Sequence, residues 1–333
     1  MTDVGIRLVD DLYAQLGLTD EWSVRRDRGF TWWGYWLAQH VAVGAPATNG
    51  SCAIRIWTDV VRDVDPNRDP AKALAAANAE ATLSALLWRP DARVVVECCT
   101  ATVDERNLDT LSTVLATAAA LQVADAHHRA QTLAQACGGS AAVSHHPRGG
   151  PRPKPAAVLN VPHDILTGTG AEPSLFEGDL IAAVDGFLQQ RRLHGSADRC
   201  DATCEVPYTG NRPAAVLAEM GRRGEIETAL VQIYTDAPHR QVGNGAVLTV
   251  KLPASPEPHR VLEWANWLNA AESNGDSRAP LLGAWCPDPD SEHGRTLIFR
   301  SFLPNVVAAP AVLETQLCHQ MTRTLFAAQH VGN

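Results

Sequence analysis

The chain has 333 residues, of which 45% are hydrophobic and 20% charged, proportions typical of a globular protein. This length exceeds what one hydrophobic core usually serves, so two domains are expected. No apolar run reaches the roughly 20 residues that a membrane span needs. The acidic first residues are not typical of an export signal. We therefore expect a cytoplasmic protein with no membrane partner.

The net charge of −9 argues against a nucleic-acid partner, because nucleic-acid binding depends on lysine and arginine neutralising phosphates. The eight cysteines are too few for a disulfide-rich scaffold of this length. In a cytoplasmic protein they are expected to be reduced thiols.

The hydrophobic pattern of the first half predicts alternating helices and strands. A helix is expected at residues 6–16, extended chain at 22–37, a strand at 52–61, an alanine-rich helix at 70–87, a strand at 93–103 and a long helix at 108–137. The second half predicts the same order. It has a helix at 175–192, extended runs at 227–235 and 246–252, a helix at 260–272, strands at 281–286 and 296–303, and a closing helix at 311–329.

Residues 138–155 separate these halves and contain four prolines and four glycines. Such a composition cannot sustain a helix or a central strand. We predict an exposed linker that is the most protease-sensitive part of the chain. It would join an N-terminal domain, 1–137, to a C-terminal domain, 156–333.

The two halves share a register as well as an order of elements. An offset of 202 residues relates Arg93 to Arg295, and it also relates several apolar positions of the two long helices. The tetrapeptides that begin at Trp88 and Trp285 both read W-x-P-D, at an offset of 197. The pattern predicts an internal duplication of one α+β domain, with antiparallel sheets flanked by helices. Two unrelated domains with convergent patterns are the alternative.

Several segments resemble a known family. RTLIFRSFLPN (295–305) and the closing helix are similar to type III secretion chaperone-like domains, a group that includes CesT-type chaperones and YbjN. FTWWGYWLAQHV (30–41), NAEATLSALLW (78–88) and VDERNLDTL (103–111) resemble the actinobacterial peptide-binding chaperones of that group. The resemblance implies two such domains and non-enzymatic binding of a protein or peptide, with no cofactor. The sequence does not identify the partner.

An aromatic and arginine-rich segment is the candidate for partner binding. Its residues are Arg25, Arg26, Arg28, Trp32, Trp33, Tyr35 and Trp36. On a strand these aromatic side chains alternate between two faces, and at least one face is expected to be buried against the helix at 108–137. Burying both faces would require cover on both sides of the sheet, so the segment is either core or a binding surface. Exposed tryptophan, tyrosine and arginine are typical of binding hot spots. We expect Trp33→Ala or Tyr35→Ala to weaken partner binding while leaving the fold intact.

Two alternatives remain open. One is a cysteine-dependent or metal-assisted enzyme, in which Cys99 acts with a histidine or the Cys200–Cys204 pair contributes to a metal site. The other is a structural subunit that associates with itself, for example as a homodimer. The sequence contains no established catalytic signature and no complete metal motif, so it assigns neither catalytic nor metal-binding residues.

Overall fold

The computed structural model describes residues 3–209, 212–213, 227–253, 258–291, 295–309 and 312–331. These ranges contain seven α-helices: α1 Val4–Gln15, α2 Ala71–Ala79, α3 Leu108–Cys137, α4 Val161–Thr167, α5 Glu177–Arg191, α6 Pro258–Ser273 and α7 Val312–Val331. None of the helices in the described ranges is long and apolar enough to cross a bilayer.

The strands form two antiparallel sheets, one in each half. The first contains β1 Ser23–Arg26, β2 Gly29–Trp33, β3 Ala38–Val43, β4 Cys52–Arg62, β5 Ala85–Arg89, β6 Val94–Val103 and β7 Ser140–Ala141. The second contains β8 His194–Ala197, β9 Asp201–Thr209, β10 Arg212–Pro213, β11 Glu227–Tyr234, β12 Gly245–Lys251, β13 Ala284–Pro287 and β14 Leu297–Pro304. The predicted α+β class is confirmed.

The two sheets have the same strand order. The first runs β1-β2-β3-β4-β6-β5, with the short β7 added beside β4. The second runs β8-β9-β11-β12-β14-β13, with the short β10 added beside β9. Helices α1 and α3 pack on one face of the first sheet, and α5 and α7 pack on one face of the second.

Matching rows of residues cross the two sheets. In the first sheet Phe30 lies opposite Val41, Val41 opposite Ile56, and Ile56 opposite Cys99. In the second the corresponding row runs Ala202, Ile233, Leu248 and Ser301. Cys99 and Ser301 differ by the 202 residues found in the sequence. Common ancestry of the halves stays a prediction, but their pairing register agrees.

The register corrects one part of the sequence alignment. Leu86 lies opposite Glu97, and Trp285 lies opposite Phe299. Since Glu97 and Phe299 are 202 residues apart, Trp285 corresponds to Leu86 and not to Trp88. The offset in this strand is therefore 199 (285 − 86), and the W-x-P-D match is two residues out of register. The tip of the second hairpin, residues 292–294, lies outside the described residues.

Two asparagines at equivalent places make hydrogen bonds to the backbone groups of Leu86 and Trp285. The Asn78 amide accepts from Leu86 N and donates to Leu86 O, both at 2.8 Å. Asn269 makes the same two bonds to Trp285, at 2.8 and 3.0 Å. The alanine-rich helix predicted for residues 70–87 is thus wrong beyond Ala79, because Asn78 lies near the helix end and binds the strand that follows.

Residues 138–155 were predicted to be an exposed linker; residues 141–146 make contacts with the first sheet, whereas most of residues 147–155 are exposed. The Ala142 amide donates to Val60 O at 3.0 Å and the Ser144 amide donates to Trp36 O at 2.9 Å. His146 is buried. The segment therefore lies along the first sheet, which provides the hydrogen-bond partners that its own sequence cannot. The domain boundary at this segment stays a prediction.

The halves are joined by two equivalent peptide hydrogen bonds. Thr100 N donates to Leu281 O at 3.2 Å, and Phe302 N donates to Thr82 O at 3.0 Å. Thr100 and Phe302 are 202 residues apart, and Thr82 and Leu281 are 199 apart, so the two bonds lie at equivalent places in the two halves. The residues that precede edge strand β5 thus lie beside β14 of the second half. The residues that precede edge strand β13 lie beside β6 of the first half. Helices α2 and α6 both pack against β5 and β13 at this junction.

We expect Asn78→Ala and Asn269→Ala each to lower the free energy of unfolding by about 1–3 kcal/mol, because each leaves a buried peptide group without its partners. Urea denaturation followed by circular dichroism measures this. The exposed Asn67, which bonds only to Asp65, is the control, and Asn67→Ala should cost less than about 0.5 kcal/mol. A negligible loss in either buried variant would contradict the shared role.

Candidate functional site

The tryptophans of the predicted binding segment are buried on both faces of the first sheet. Trp32 is 1% exposed and lies in the core, where its indole N–H donates to Gln39 Oε1 at 2.7 Å. Trp33 is 6% exposed on the opposite face. Its ring meets His146 edge-on at 4.9 Å, and its N–H donates to Ser144 Oγ at 3.2 Å. Burial of Trp32 agrees with the expectation that one face packs against the helix at 108–137. Burial of Trp33 differs from its expected exposure, because residues 144–146 cover the second face.

Tyr35 and Trp36 are half-buried and lie on helix α3. The His127 ring stacks on Tyr35 at 6.4 Å and meets Trp36 edge-on at 5.2 Å. Burial lowers the pKa of His127, so this contact is between neutral rings at neutral pH. These side chains attach the β2–β3 connection to α3, and they do not form an open aromatic surface.

Two of the three predicted arginines have partners within the chain. Arg25 pairs with Asp10 at 2.8 Å and lies 3.9 Å above the Tyr13 ring. Arg28 pairs with Asp3 at 2.7 Å and donates to Val43 O. Arg26 is exposed. The seven predicted residues are close in sequence, but the structure does not bring them together as one surface.

The first sheet has a large groove on the face opposite α1 and α3. Its floor is formed by alternate residues of β3, β4 and β6, among them Ala42, Ala53, Arg55, Trp57 and Thr102. Its two walls are residues 44–51 of the β3–β4 loop and residues 273–280 of the second half. The volume is about 940 Å³. We call this cavity the Arg55 groove.

A buried ion pair fixes the wall that comes from the second half. Glu272 and Arg323 pair at 2.9 Å, and both side chains are buried. Arg323 also donates to the carbonyl of Pro280, which is a wall residue. Burial raises the pKa of Glu272, and the neighbouring Arg323 opposes that rise. The ion pair and the Thr100–Leu281 bond hold this loop against the first sheet.

The groove is basic although the chain is acidic. Arg55 and Arg278 line it, and no aspartate or glutamate does within the described residues. Hydroxyl and amide side chains supply further hydrogen-bonding groups: Thr48, Asn49, Ser51, Thr100, Thr102, Ser273, Asn274 and Ser277. Such a lining suits an anionic group attached to a polar ligand.

Arg55 has unused hydrogen-bond donors. Its Nε and Nη2 atoms are buried and have no hydrogen-bond partner in the described structure. The rest of the guanidinium is partly engaged, since it lies 5.3 Å from the Trp57 ring centre and interacts with the Cys98 thiol. Asp59 is on the same face, where burial raises the pKa of its carboxyl and Arg55 opposes the rise. Buried donors without partners are costly. A carboxylate can accept two parallel bonds from a guanidinium, so the site is suited to that group.

A smaller cavity of about 300 Å³ continues the groove towards β2. It shares Ala42, Val43 and Trp57 with the groove, and its lining also includes Arg26, Asp27, Arg28 and His40. The His40 ring stacks on Trp57 at 5.0 Å, and its Nδ1 is 2.9 Å from Thr31 Oγ1. Burial and the charge of Arg26 lower the pKa of His40 to about 4. Two predicted arginines thus lie at one end of the groove.

The cysteines considered for catalysis lie in unreactive surroundings. Cys98 and Cys99 are fully buried in β6, and burial raises the pKa of both thiols. A nucleophilic cysteine needs the opposite shift. All eight cysteines lie within the described residues and are free thiols. In that part of the chain no three histidine, cysteine or acidic side chains are placed to hold a metal ion.

Comparison of the chain with protein-family models, with curated proteins and with solved structures gave no match.

Arg55, Trp57 and Arg278 are the residues that the sequence analysis missed. The signal for the first two was present: Ala53, Arg55, Trp57 and Asp59 alternate with apolar residues in β4, so they share the outer face of a strand. No local pattern links Arg278 to them, because it comes from the other half of the chain.

We expect Trp33→Ala to lower the free energy of unfolding by about 3–5 kcal/mol, since a large buried ring is removed. This replaces the sequence-based expectation of an intact fold. Chemical denaturation measures the effect, and Val24→Ala is the control, because Val24 is exposed on the same sheet face. Wild-type stability of the Trp33 variant would mean that residues 144–146 do not cover the ring.

We expect NMR titration of the His40 ring to give a pKa of about 4. This lies below the unfolded value of about 6.5, so the stabilising contribution of the neutral ring is present above pH 6.5 and is lost as the pH falls towards 4. Arg26→Ala should raise the pKa, because it removes a positive charge, whereas Arg106→Ala should not. An unshifted value in the wild type would show that the ring is solvated.

Proposed function

We propose that this chain is a non-enzymatic binding protein, a chaperone or adaptor, that holds a carboxylate-bearing segment of a partner protein in the Arg55 groove. The observation that carries the proposal is that two buried guanidinium nitrogens of Arg55, Nε and Nη2, have no hydrogen-bond partner, in a groove of about 940 Å³ whose lining residues include no carboxylate among the described residues. The resemblance of the sequence to chaperone-like domains points to the same class of activity. We place the protein in the cytoplasm as part of this proposal, in keeping with its eight free thiols.

A protein partner fits the groove better than a nucleic acid does. The lining contains two arginines, whereas a nucleic acid brings one phosphate per nucleotide to a chain of net charge −9. A protein segment can supply one or two carboxylates and leave its other groups to the hydroxyl and amide side chains of the walls. Trp57 offers it an apolar surface between the groove and the smaller cavity.

The test uses two labelled ten-residue peptides, one containing three glutamates and the other glutamine at those positions. We expect the glutamate peptide alone to bind in fluorescence anisotropy, and added salt to weaken it. Arg55→Ala should reduce its affinity about tenfold or more, because the charge-assisted bonds are lost. Arg278→Ala should act in the same direction.

Arg106→Ala is the matched control, since Arg106 is exposed and pairs with Asp104 away from the groove. It should bind the peptide as the wild type does. Equal binding of the two peptides, or no effect of Arg55→Ala in a folded protein, would count against the proposal. Preferential binding of an oligonucleotide would assign the groove to a different class of partner.

A further inference from the structure

The second sheet has a position equivalent to the Arg55 groove. Arg55 lies opposite Ala42 on one side and Thr100 on the other. In the second sheet Val247 lies opposite Tyr234 and Phe302, which are the corresponding positions. The connections have the same length, since residues 43–54 and 235–246 are twelve each. Val247 therefore stands where Arg55 stands in the first half.

The second position is already occupied by the chain itself. Helix α4 and the turn at Thr169–Ala171 lie over this face of the second sheet. Ile165 of α4 is buried in an apolar cluster, whose other fully buried members are Leu121, Val242, Val247 and Phe302. Ile165 of helix α4, together with Leu121 of helix α3, thus covers the second sheet at the place where the first sheet has the Arg55 groove.

The backbone of this turn is held by the second half. Asn244 N donates to Gly170 O at 2.8 Å, and the Asn305 side chain donates to Thr169 O at 2.9 Å. The contact is so close that a Cβ on Gly243 would come within 2.2 Å of Gly170 O. The second half therefore shows how this sheet face accommodates a helical segment.

The floor of the groove cannot accept an added strand. Its central strand, β4, is paired with β3 on one side and with β6 on the other. Strand addition needs an unpaired edge, where the bound peptide completes its backbone hydrogen bonds. A segment lying on a sheet face cannot bond to the paired strands beneath it, so its backbone groups need partners within the segment or from surrounding side chains and loops. A helical turn makes part of these bonds internally, and on the second sheet Asn244 and Asn305 supply others.

We propose that the Arg55 groove binds a short helical turn of the partner, with an aspartate or glutamate at the position that Ile165 occupies on the second sheet. Ile165 and Val247 belong to the same apolar cluster, so the second sheet pairs an apolar side chain with an apolar position. Arg55 stands at the equivalent position of the first sheet, where a carboxylate can accept from its Nε and Nη2 atoms. This inference rests on the proposed function and adds to it the conformation of the bound segment and the place of its charge.

The experiment compares three peptides built on residues 161–173. The first carries Ile165→Glu and is held helical by a lactam link between side chains four residues apart. The second has the same link and Ile165→Gln. The third carries Ile165→Glu without the link, and prolines at alternate positions hold it extended. Affinities are measured by fluorescence anisotropy with wild-type, Arg55→Val and Arg106→Ala proteins, whose folding is checked by circular dichroism.

We expect the linked glutamate peptide to bind the wild type and the Arg106→Ala protein at least tenfold more tightly than either other peptide. This preference should disappear in Arg55→Val. Equal or tighter binding of the extended glutamate peptide would overturn the helical turn and leave the proposed function standing. No binding of either glutamate peptide would overturn both. Displacement of the linked peptide by millimolar acetate or phosphate would identify a small-anion site and would also overturn both.

Discussion

The arrangement of the two halves depends on peptide groups that each sheet cannot satisfy alone. Strand β5 begins at Ala85, which lies opposite Cys98 of β6. Thr100 lies two residues further along β6, beyond the start of β5, so its backbone amide has no partner on that side in its own half. Leu281 O of the second half accepts from it, and Thr82 O of the first half accepts from Phe302 N in return. An unpaired buried amide is costly, which makes this reciprocal exchange a strong constraint on how the halves fit.

The same constraint creates the groove. The backbone carbonyl of Leu281 accepts a hydrogen bond from the Thr100 amide. This bond places Leu281, together with residues 273–280, beside the outer face of the first sheet. The buried pair of Glu272 and Arg323 then fixes the loop, since each charge would be left uncompensated in the core without the other. The groove wall is thus part of the junction between the halves. A change at Glu272 or Arg323 therefore acts on the groove through the position of Pro280.

The sequence predicted the long periodic elements and missed helix α4 and strands β8 and β9. Residues 93–103 and 108–137 had clear periods of two and of three to four, and both elements are present. Residues 138–155 have no such period, yet Ala142 and Ser144 pack because distant backbone groups of the first sheet bind them. The exposure of Trp33 could not be predicted, since it depends on that same segment. The W-x-P-D register failed because a shift of two residues keeps every side chain on its own face.

Residues 25–36 were predicted to bind a partner, and in the structure the two tryptophans of strand β2 contribute to the fold. Trp32 and Trp33 are buried on opposite faces of β2 and hold it in the sheet. That position brings Arg26 and Arg28 to the end of the Arg55 groove. Removing the rings therefore acts on folding, and removing the charges acts on the electrostatics of the cavity.

The two halves differ at one equivalent position of their sheets. In the second sheet this position is Val247, which packs with Ile165 of the chain's own helix α4. In the first sheet it is Arg55, two of whose buried nitrogens have no hydrogen-bond partner in the described structure. The first sheet thus keeps a charged side chain where the second sheet has an apolar one, and the proposed carboxylate is the group that would pair with it.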